Sequence, residues 1–451
     1  MEKQYMETLL AQIREKRARE CISQEVAGHL ADQKARYIAD GMSDGDAEAQ
    51  AVADMGDPVE TGIALDQIHR PKPAWGMLAM IAVLCAVGVL LQFAVYRYCP
   101  QAQVGRYFFQ SQLCYAVLGY LLLCGIYLAD YTKIAKYSKY LCTGILVLLS
   151  LAAVSDTSLF PKPYPQPSLN IGFFLDWLFP QLLNSILELL HLNLNRLLAL
   201  NVFFYLYLPL YGALLYSYRN CNAKKLWHLF FYTVLPVFLS AQLTHAAVRI
   251  NLAVILFLML GTAVYKGWFP IFAARIKYIV FTCMTAALLL YPIFLTDYQR
   301  TRIQAWLNPG AFQATGGYLQ GAIRGLLHSS QLIGHAESSL SGYYLPEYAT
   351  DYILSYMAAT FGIAAAAALI LFVVLLGAKL LRMSFHQKNQ LGMIMGLGCS
   401  LAFVIQSAEY ILVNLALLPA SSLYLPLISF GGSNMLQACV LLGILLSIYR
   451  Y

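Results

Sequence analysis

The sequence has little charge. Only 12% of its 451 residues are charged, whereas 59% are hydrophobic and the mean hydropathy is +0.60. A soluble globular domain carries roughly 25% charged residues, about twice this share. The composition therefore excludes a soluble globule and predicts an all-α, polytopic membrane protein.

Acidic residues are scarcest beyond residue 70. Residues 1–70 hold 14 acids and 8 bases, whereas residues 71–451 hold 9 acids and 22 bases. The bases stand singly between apolar runs and form no basic stripe, so the net charge of +7 reflects membrane topology. Nucleic acid is not expected as a partner. Each acid in the apolar part of the chain requires a specific reason.

Several motifs are missing. The ten cysteines form no CxxC pair and have no histidine at ligand spacing, which excludes a recognisable metal motif or disulfide framework. The first 70 residues are polar where a signal peptide would be apolar, so no signal peptide is expected. No SxxK, SxN and KTG set of a transpeptidase is present, so any cross-linking activity must belong to another protein.

Residues 1–70 predict a small helical domain. Apolar residues recur at helical spacing through "YMETLLAQI" and "EVAGHLADQKARYI", and Ser43 followed by Asp46 is a capping-box pattern. The segment resembles the prefix domains found ahead of bacterial permease-like membrane proteins. That resemblance implies a cytoplasmic attachment or regulatory domain, and the alternative is a solvated helical cap without chemistry.

A transmembrane domain is predicted over residues 73–451. It contains ten apolar segments of about 20 residues, each long enough to cross about 30 Å of hydrocarbon. The loops of one side carry 14 bases against eight on the other, which places both termini in the cytoplasm. The ten segments lie near 74–96, 107–129, 138–156, 197–217, 226–246, 250–269, 276–296, 352–378, 391–418 and 425–449.

The large outer loop predicted at 298–351 carries three arginines that suit a diphosphate group. Arg300, Arg302 and Arg324 each present a planar fork of donors, which matches phosphate oxygens. Contact with lipid headgroups is the alternative for arginines at a membrane surface.

The same loop ends in two acids, Glu347 and Asp351, four residues apart at the start of an apolar run. A carboxylate at a helix start can cap free N–H groups and meets the positive end of the helix dipole. The same setting keeps Asp351 ionised and able to accept a proton, which a general base requires. Both interpretations are compatible with the sequence.

The stretch "LLPASSLYLPLISFGGSN" interrupts the apolar sequence near the C-terminus. Broken backbone at membrane depth is tolerated where it is buried in protein or lines a cavity. A cavity close to Asp351 is therefore predicted, with close helix packing on small residues as the alternative. The candidate substrate-binding residues of this stretch are Pro426, Ser429, Gly431, Gly432 and Ser433.

Three segments resemble one family. "LPEYATDYI" resembles the LPE-A-H-T-D-F-I loop motif of the SEDS (shape, elongation, division and sporulation) family, whose members include RodA, FtsW and SpoVE. "LLPASSLYLPLISFGGSN" is similar to the C-terminal signature of that family, and "RIQAWLNP" to the opening of its large outer loop. Matching segments span about residues 300–450.

The resemblance implies a peptidoglycan glycosyltransferase that polymerises lipid II, the undecaprenyl-diphosphate-linked disaccharide, at the outer face of the bacterial cytoplasmic membrane. Asp351 falls on the acid assigned as catalytic in the family. Glu347 falls on the first acid of the motif and is a candidate substrate-binding residue. A class B penicillin-binding protein is the implied partner. The arginines or a bound divalent cation, Mg²⁺ or Mn²⁺, would offset the charge of the diphosphate leaving group.

The sequence also departs from the family pattern. Ala349 replaces the His of the motif, Tyr410 stands where Asn is usual, and "AAT" at 358–360 stands where many members carry Gly-Glu-Glu. Two other functions therefore stay open. One is a transporter of lipid-linked cell-wall precursors, with Glu409 near Gln406 as its intramembrane acid. The other is a non-catalytic scaffold for cell-wall synthesis.

Overall fold

The protein is all-α, as the composition predicts. The computed structural model describes residues 2–13, 16–69, 73–98, 102–156, 200–221, 223–269, 297–312, 317–334 and 345–450. Regular structure in these ranges consists of α-helices and one short 3₁₀ helix, with no strand. The chain divides into two compact units, the first comprising Met1–Pro73 with Arg450–Tyr451 and the second Ala74–Tyr449.

The first unit is a small helical domain with its own apolar core. Leu9, Ile22 and Leu30 are buried in that core. Ser43 precedes the third helix, and its Oγ accepts a hydrogen bond from the backbone N–H of Asp46, which confirms the predicted cap. The helices are α1 (Glu2–Gln12), α2 (Lys16–Ala39), α3 (Asp44–Asp54) and α4 (Pro58–His69).

The second unit contains the membrane helices. Its described helices are α5 (Trp75–Tyr98), α6 (Ala102–Leu128), α7 (Tyr131–Lys136), α8 (Ser138–Asp156), α9 (Leu200–Ser217), α10 (Ala223–Leu243), α11 (Ala246–Tyr265), α12 (Asp297–Leu307), α13 (Gly317–Ser329), α14 (Ile353–Phe361), α15 (Ile363–Phe385), α16 (Gln390–Asn414) and α17 (Gly432–Arg450). The 3₁₀ helix Pro309–Phe312 lies between α12 and α13.

Eight of the described helices are long and apolar enough to cross a membrane, and each matches one of the ten predicted crossings. They are α5, α6, α9, α10, α11, α15, α16 and α17. The predicted crossing at 138–156 corresponds to α8, whose apolar part Ser138–Ala153 is shorter. The crossing predicted at 276–296 lies outside the described residues. The chain is a multi-pass membrane protein.

Two predicted crossings begin at the wrong residue. The segment 352–378 is not one helix, because α14 and α15 are separated at Gly362, which has φ 99°. A Cβ at this glycine would also lie 2.7 Å from the carbonyl oxygen of Leu332, so both the conformation and the close contact require glycine. The last crossing begins at Gly432, because the residues from 425 onward form turns.

The helices α16 and α17 are the most buried of the eight described membrane helices, with 72% and 83% of an apolar segment of each buried inside the protein. Helix α16 packs against α9, α11 and α15. Its contact with α9 is close, because a Cβ at Gly212 would lie 3.0 Å from the backbone of Ile394 and of Met395. This contact sets the separation of α9 and α16 near the N-terminal end of α16.

Candidate active site

Asp351 lies in a tight turn immediately before α14. The turn is organised by Glu347, whose φ of 55° is in the left-handed region and whose carbonyl oxygen accepts the N–H groups of Thr350, Asp351 and Tyr352 at 3.0 to 3.2 Å. A residue other than glycine in this conformation costs on the order of 1–3 kcal/mol, which the surrounding structure must offset. The turn brings the two predicted acids together.

One side of the turn is attached through the carbonyl of Ala349. This oxygen accepts a hydrogen bond from Nε2 of Gln92 on α5 at 2.9 Å and another from the N–H of Phe430 at 3.2 Å. The Ala349 methyl group is buried against Val95 and Tyr356. An apolar contact therefore occupies the position at which the family motif carries His.

The other side of the turn is held by the end of α16. Asn414, only 1% exposed, donates from Nδ2 to the carbonyl of Asp351 at 3.0 Å. Its Oδ1 accepts the N–H of Ser355 at 3.1 Å and the Ser355 hydroxyl at 2.9 Å. The Tyr410 hydroxyl donates to the Thr350 carbonyl at 3.4 Å. The backbone on both sides of the candidate base is thus fixed.

These contacts also show that the helix-cap interpretation of Asp351 is wrong. The N-cap residue of α14 is Tyr352, which makes no capping bond with its side chain. The N–H of Ser355 in the first turn is instead satisfied by Asn414, from another helix. The carboxylate of Asp351 interacts with the side chains of Ser422 and Thr350. It is therefore available for a role other than capping.

The environment of Asp351 raises the pKa of its carboxyl group. Burial, which leaves it 9% exposed, and the nearby charge of Glu347 raise the pKa of Asp351 to about 7. Hydrogen bonds from Ser422 and Thr350 and the charge of Arg302 oppose that rise. A carboxyl group poised near neutral pH is suited to general base catalysis, because it is substantially ionised and still basic enough to take a proton.

The structure brings Arg302 into the electrostatic environment of Asp351. Arg302, on α12, donates from Nη1 to the carbonyl of Ala420 at 2.5 Å, and its guanidinium group has further donors. Arg324, which is exposed, donates to a backbone carbonyl near the end of α12 at 2.9 Å. Arg300 is also exposed on α12. Their predicted contact with diphosphate stays a prediction.

The non-helical segment 415–431 passes beside the turn. Ser429 accepts a hydrogen bond from the N–H of Leu425 at 2.9 Å, and a Cβ at Gly432 would lie 2.5 Å from the ring of Tyr115. Four of the five predicted substrate-binding residues of this stretch are buried, and Gly431 is partly exposed. This part of the signature is therefore mostly packed inside the protein. The buried four are Pro426, Ser429, Gly432 and Ser433.

A cavity of about 80 Å³, lined by both polar and apolar side chains, adjoins the site. It touches the surroundings of Asp351 through Ser422, which lines the cavity and also interacts with the carboxylate. The sequence predicts a cavity close to Asp351. The residues of the segment 415–431 that line it are Ser422, Leu423 and Tyr424, which precede the five predicted substrate-binding residues. The lining residues are Asn201, Tyr205, His245, Val248, Gln406, Ser422, Leu423 and Tyr424.

One wall of the cavity is formed by polar residues of α9, which lie outside the predicted site. Asn201 and Tyr205 lie four residues apart in the otherwise apolar α9, so they share one helix face. Asn201 donates to the Tyr424 hydroxyl at 2.9 Å, and Tyr205 interacts with Gln406. Polar side chains at helical spacing within a membrane helix indicate a protein-facing polar site.

Glu409, the acid of α16 within a membrane span, has a partner. Its Oε2 accepts a hydrogen bond from Nδ2 of Asn251 on α11 at 2.6 Å. Burying a polar group within a membrane is costly unless it is hydrogen-bonded, and this bond supplies that partner. The pair links α11 and α16 next to the helix faces that line the cavity.

A protein family and several individual proteins are similar to this chain in sequence. The family described as cell cycle protein, FtsW/RodA/SpoVE, matches residues 201–451. A protein of Geobacter sulfurreducens named "Probable peptidoglycan glycosyltransferase FtsW" is 34% identical over 204 residues, which are 42% of this chain and 53% of that protein. The chain thus matches about half the length of this relative.

Two further matches extend over most of the chain. A protein of Geobacter metallireducens with the same name is 26% identical over 394 residues, covering 82% of this chain and 93% of that protein. A solved structure described as "Structural coordination of polymerization and crosslinking by a peptidoglycan synthase complex" aligns with a TM-score of 0.59 and 17% identity. It covers 83% of this chain and 97% of the aligned one. At this identity the structural match shows the fold.

Proposed function

Because the chain belongs to the FtsW, RodA and SpoVE family of cell cycle proteins, we propose that it is a peptidoglycan glycosyltransferase that polymerises lipid II. The observation that carries the proposal is Asp351, a buried carboxyl group with a raised pKa, fixed by α5, α16 and the segment 415–431 beside a cavity. The relatives named as peptidoglycan glycosyltransferases support it.

In the proposed reaction Asp351 accepts the proton of a sugar hydroxyl as that oxygen attacks the anomeric carbon of the donor. The diphosphate leaves with the negative charge that the broken bond releases. Arg302 lies near the base and its positive charge opposes the charge of the leaving group, and the exposed Arg300 and Arg324 provide further positive charge. Glu347 keeps the base weakly acidic by repelling its ionised form.

A divalent cation has no protein cage among the described residues, because they contain no group of three or more His, Cys, Asp or Glu side chains that could hold a metal ion. Mg²⁺ commonly binds through one or two carboxylates together with the phosphates of a substrate.

We propose that the reaction takes place on the outer side of the membrane, with both termini cytoplasmic and a class B penicillin-binding protein as partner. The excess of basic residues in the inner loops supports the orientation. A cysteine placed at the exposed Asn308 should react with a membrane-impermeant maleimide added to intact cells. Labelling only after the membrane is opened would contradict this orientation.

The function is tested by supplying labelled lipid II to the purified protein, with and without class B penicillin-binding proteins, in detergent and in sealed vesicles. Glycan chains sensitive to a muramidase are the expected product. Transfer of lipid II across the vesicle membrane without polymer would indicate a transporter instead. Neither polymer nor transfer with every partner would indicate a scaffold.

The pH dependence of polymerisation should report on Asp351. Activity is expected to rise with pH through about 7, because the base must be ionised, and to fall about tenfold per unit well below that value. Glu347→Gln removes a repelling charge and should shift this rise to lower pH. Ser422→Ala removes a hydrogen bond to the carboxylate and should shift it to higher pH. Shifts in the same direction would contradict the assignment.

A further inference from the structure

The cavity beside Asp351 has walls of two kinds. Its polar wall carries Asn201, Tyr205 and Gln406 from α9 and α16, whereas Val248 and Leu423 contribute apolar groups. Tyr205 and Gln406 are buried and interact with each other. The cavity therefore offers both hydrogen-bonding and apolar contacts, and it shares Ser422 with the surroundings of Asp351.

We propose that this cavity is the subsite for the acetamido group of the acceptor sugar. The inference rests on the proposed function and deepens it by assigning a specificity determinant to Asn201, Tyr205, Val248 and Gln406. The sugars of peptidoglycan are N-acetylated amino sugars, so each presents one such group close to its ring.

The size of the cavity fits this group. Its volume of about 80 Å³ leaves room for a small group or several water molecules. An acetamido group, with one carbonyl, one N–H and one methyl, is of that size, whereas a whole sugar ring is not. The cavity can therefore take a ring substituent while the ring itself stays outside, near the carboxylate.

The chemistry of the lining also fits. The side-chain amides of Asn201 and Gln406 each have a donor end and an acceptor end, which match the carbonyl and N–H of an acetamido group. Val248, which is 6% exposed, and Leu423 offer apolar contact for the methyl group. Ser422 lies at the boundary between cavity and base, since it lines the first and interacts with the second.

This placement would orient the acceptor. A sugar whose acetamido group is seated in the cavity has its ring fixed next to Ser422, so one ring hydroxyl is presented to Asp351 repeatedly in the same orientation. An acceptor without the acetamido group would lose the hydrogen bonds that the side-chain amides of Asn201 and Gln406 offer to that group. Sites built for hydrogen bonding reject such analogues strongly.

The test measures binding of short-chain lipid-linked disaccharides by calorimetry, and their use as acceptors, with three substituents at the same sugar position: acetamido, propionamido and hydroxyl. Val248→Phe fills the cavity and Val248→Ala enlarges it. Val254→Phe is the matched control, because Val254 lies on the same helix and is 39% exposed. The binding measurement does not require turnover.

Val248→Phe should weaken the acetamido ligand about 10- to 100-fold while changing the hydroxyl ligand less than about threefold. Val248→Ala should improve the propionamido ligand relative to acetamido by about tenfold, a gain that a misfolded variant cannot produce. Val254→Phe should leave all three unchanged.

Equal changes for the three ligands in both Val248 variants would overturn the subsite and leave a cavity that holds water only. Polymerisation with an unchanged acetamido preference would overturn the subsite alone. Acetamido-dependent binding without polymerisation under any condition would retain the subsite and overturn the proposed glycosyl transfer.

Discussion

Asp351→Asn is expected to reduce lipid II polymerisation about 10²- to 10⁴-fold, the usual contribution of a general base. The amide of Asn has nearly the size of a carboxylate and retains one acceptor oxygen for Ser422 and Thr350, but it cannot take a proton at neutral pH. The measurement is the initial rate of glycan formation at pH 8, where the wild-type carboxylate is mostly ionised.

The structure also predicts what Asp351→Asn leaves unchanged. Its backbone carbonyl is bound by Asn414, and the first turn of α14 is satisfied by the same side chain, so neither depends on the carboxylate. Both Asp351→Asn and Asp351→Ala should therefore unfold near the wild-type midpoint. The additional loss of about 1 kcal/mol that a missing helix cap would give the Ala variant is not expected.

Glu347→Gln provides the matched control, because it removes the neighbouring acid and leaves the base in place. At pH 8 it should polymerise within a few-fold of the wild type. An Asp351→Asn protein with similar activity would show that another group takes the proton.

Several residues of this site can be predicted from the sequence, because they belong to short local motifs. The spacing of Glu347 and Asp351 at the start of an apolar run is sufficient to mark two acids beside a membrane helix, whereas the turn that holds them was not predicted. The interruption by Pro419 and Pro426 likewise marks broken backbone inside the membrane domain. Such signals require no knowledge of which helices are neighbours.

The contacts that fix the site cannot be predicted from the sequence alone, because they join residues that are far apart in the chain. Gln92 reaches Ala349 across 257 positions, and Asn414 reaches Ser355 across 59. Which polar side chain meets which carbonyl depends on the relative rotation and depth of packed helices. Both are set by close contacts such as that of Gly212 with Ile394. Sequence periodicity specifies a buried face without specifying its partner.

The helix boundary at Gly362 was missed for a related reason. Residues 352–378 are apolar throughout, and hydropathy alone does not separate a short buried helix from the span that follows. The break is set by the left-handed φ of 99° at Gly362 and by its contact with the Leu332 carbonyl. A single glycine inside a long apolar run signals such a break only once its neighbours are known.

The same long-range contacts make Asn414 the position at which truncation should destabilise the site most. Asn414→Ala would leave the N–H of Ser355 and the carbonyls of Asp351 and Tyr410 without the bonds that Asn414 now provides. Each unsatisfied buried group costs about 1–3 kcal/mol, so a loss of about 3 to 5 kcal/mol in the free energy of unfolding is expected. Unfolding is measured by titration with SDS in mixed micelles.

The opposite end of the same helix supplies the control. Asn389, which is exposed, caps α16 by accepting the N–H of Leu391 at 3.0 Å and donates to the Tyr131 hydroxyl at 3.1 Å, and its replacement by Ala should cost only about 1 to 2 kcal/mol. Asn414→Ala should also lower polymerisation, because the Asp351 backbone loses its fixed position, whereas Asn389→Ala should not. Equal losses of stability in the two variants would mean that water replaces the buried amide, and that the turn carrying Asp351 is held mainly by Gln92 and Phe430 through the Ala349 carbonyl.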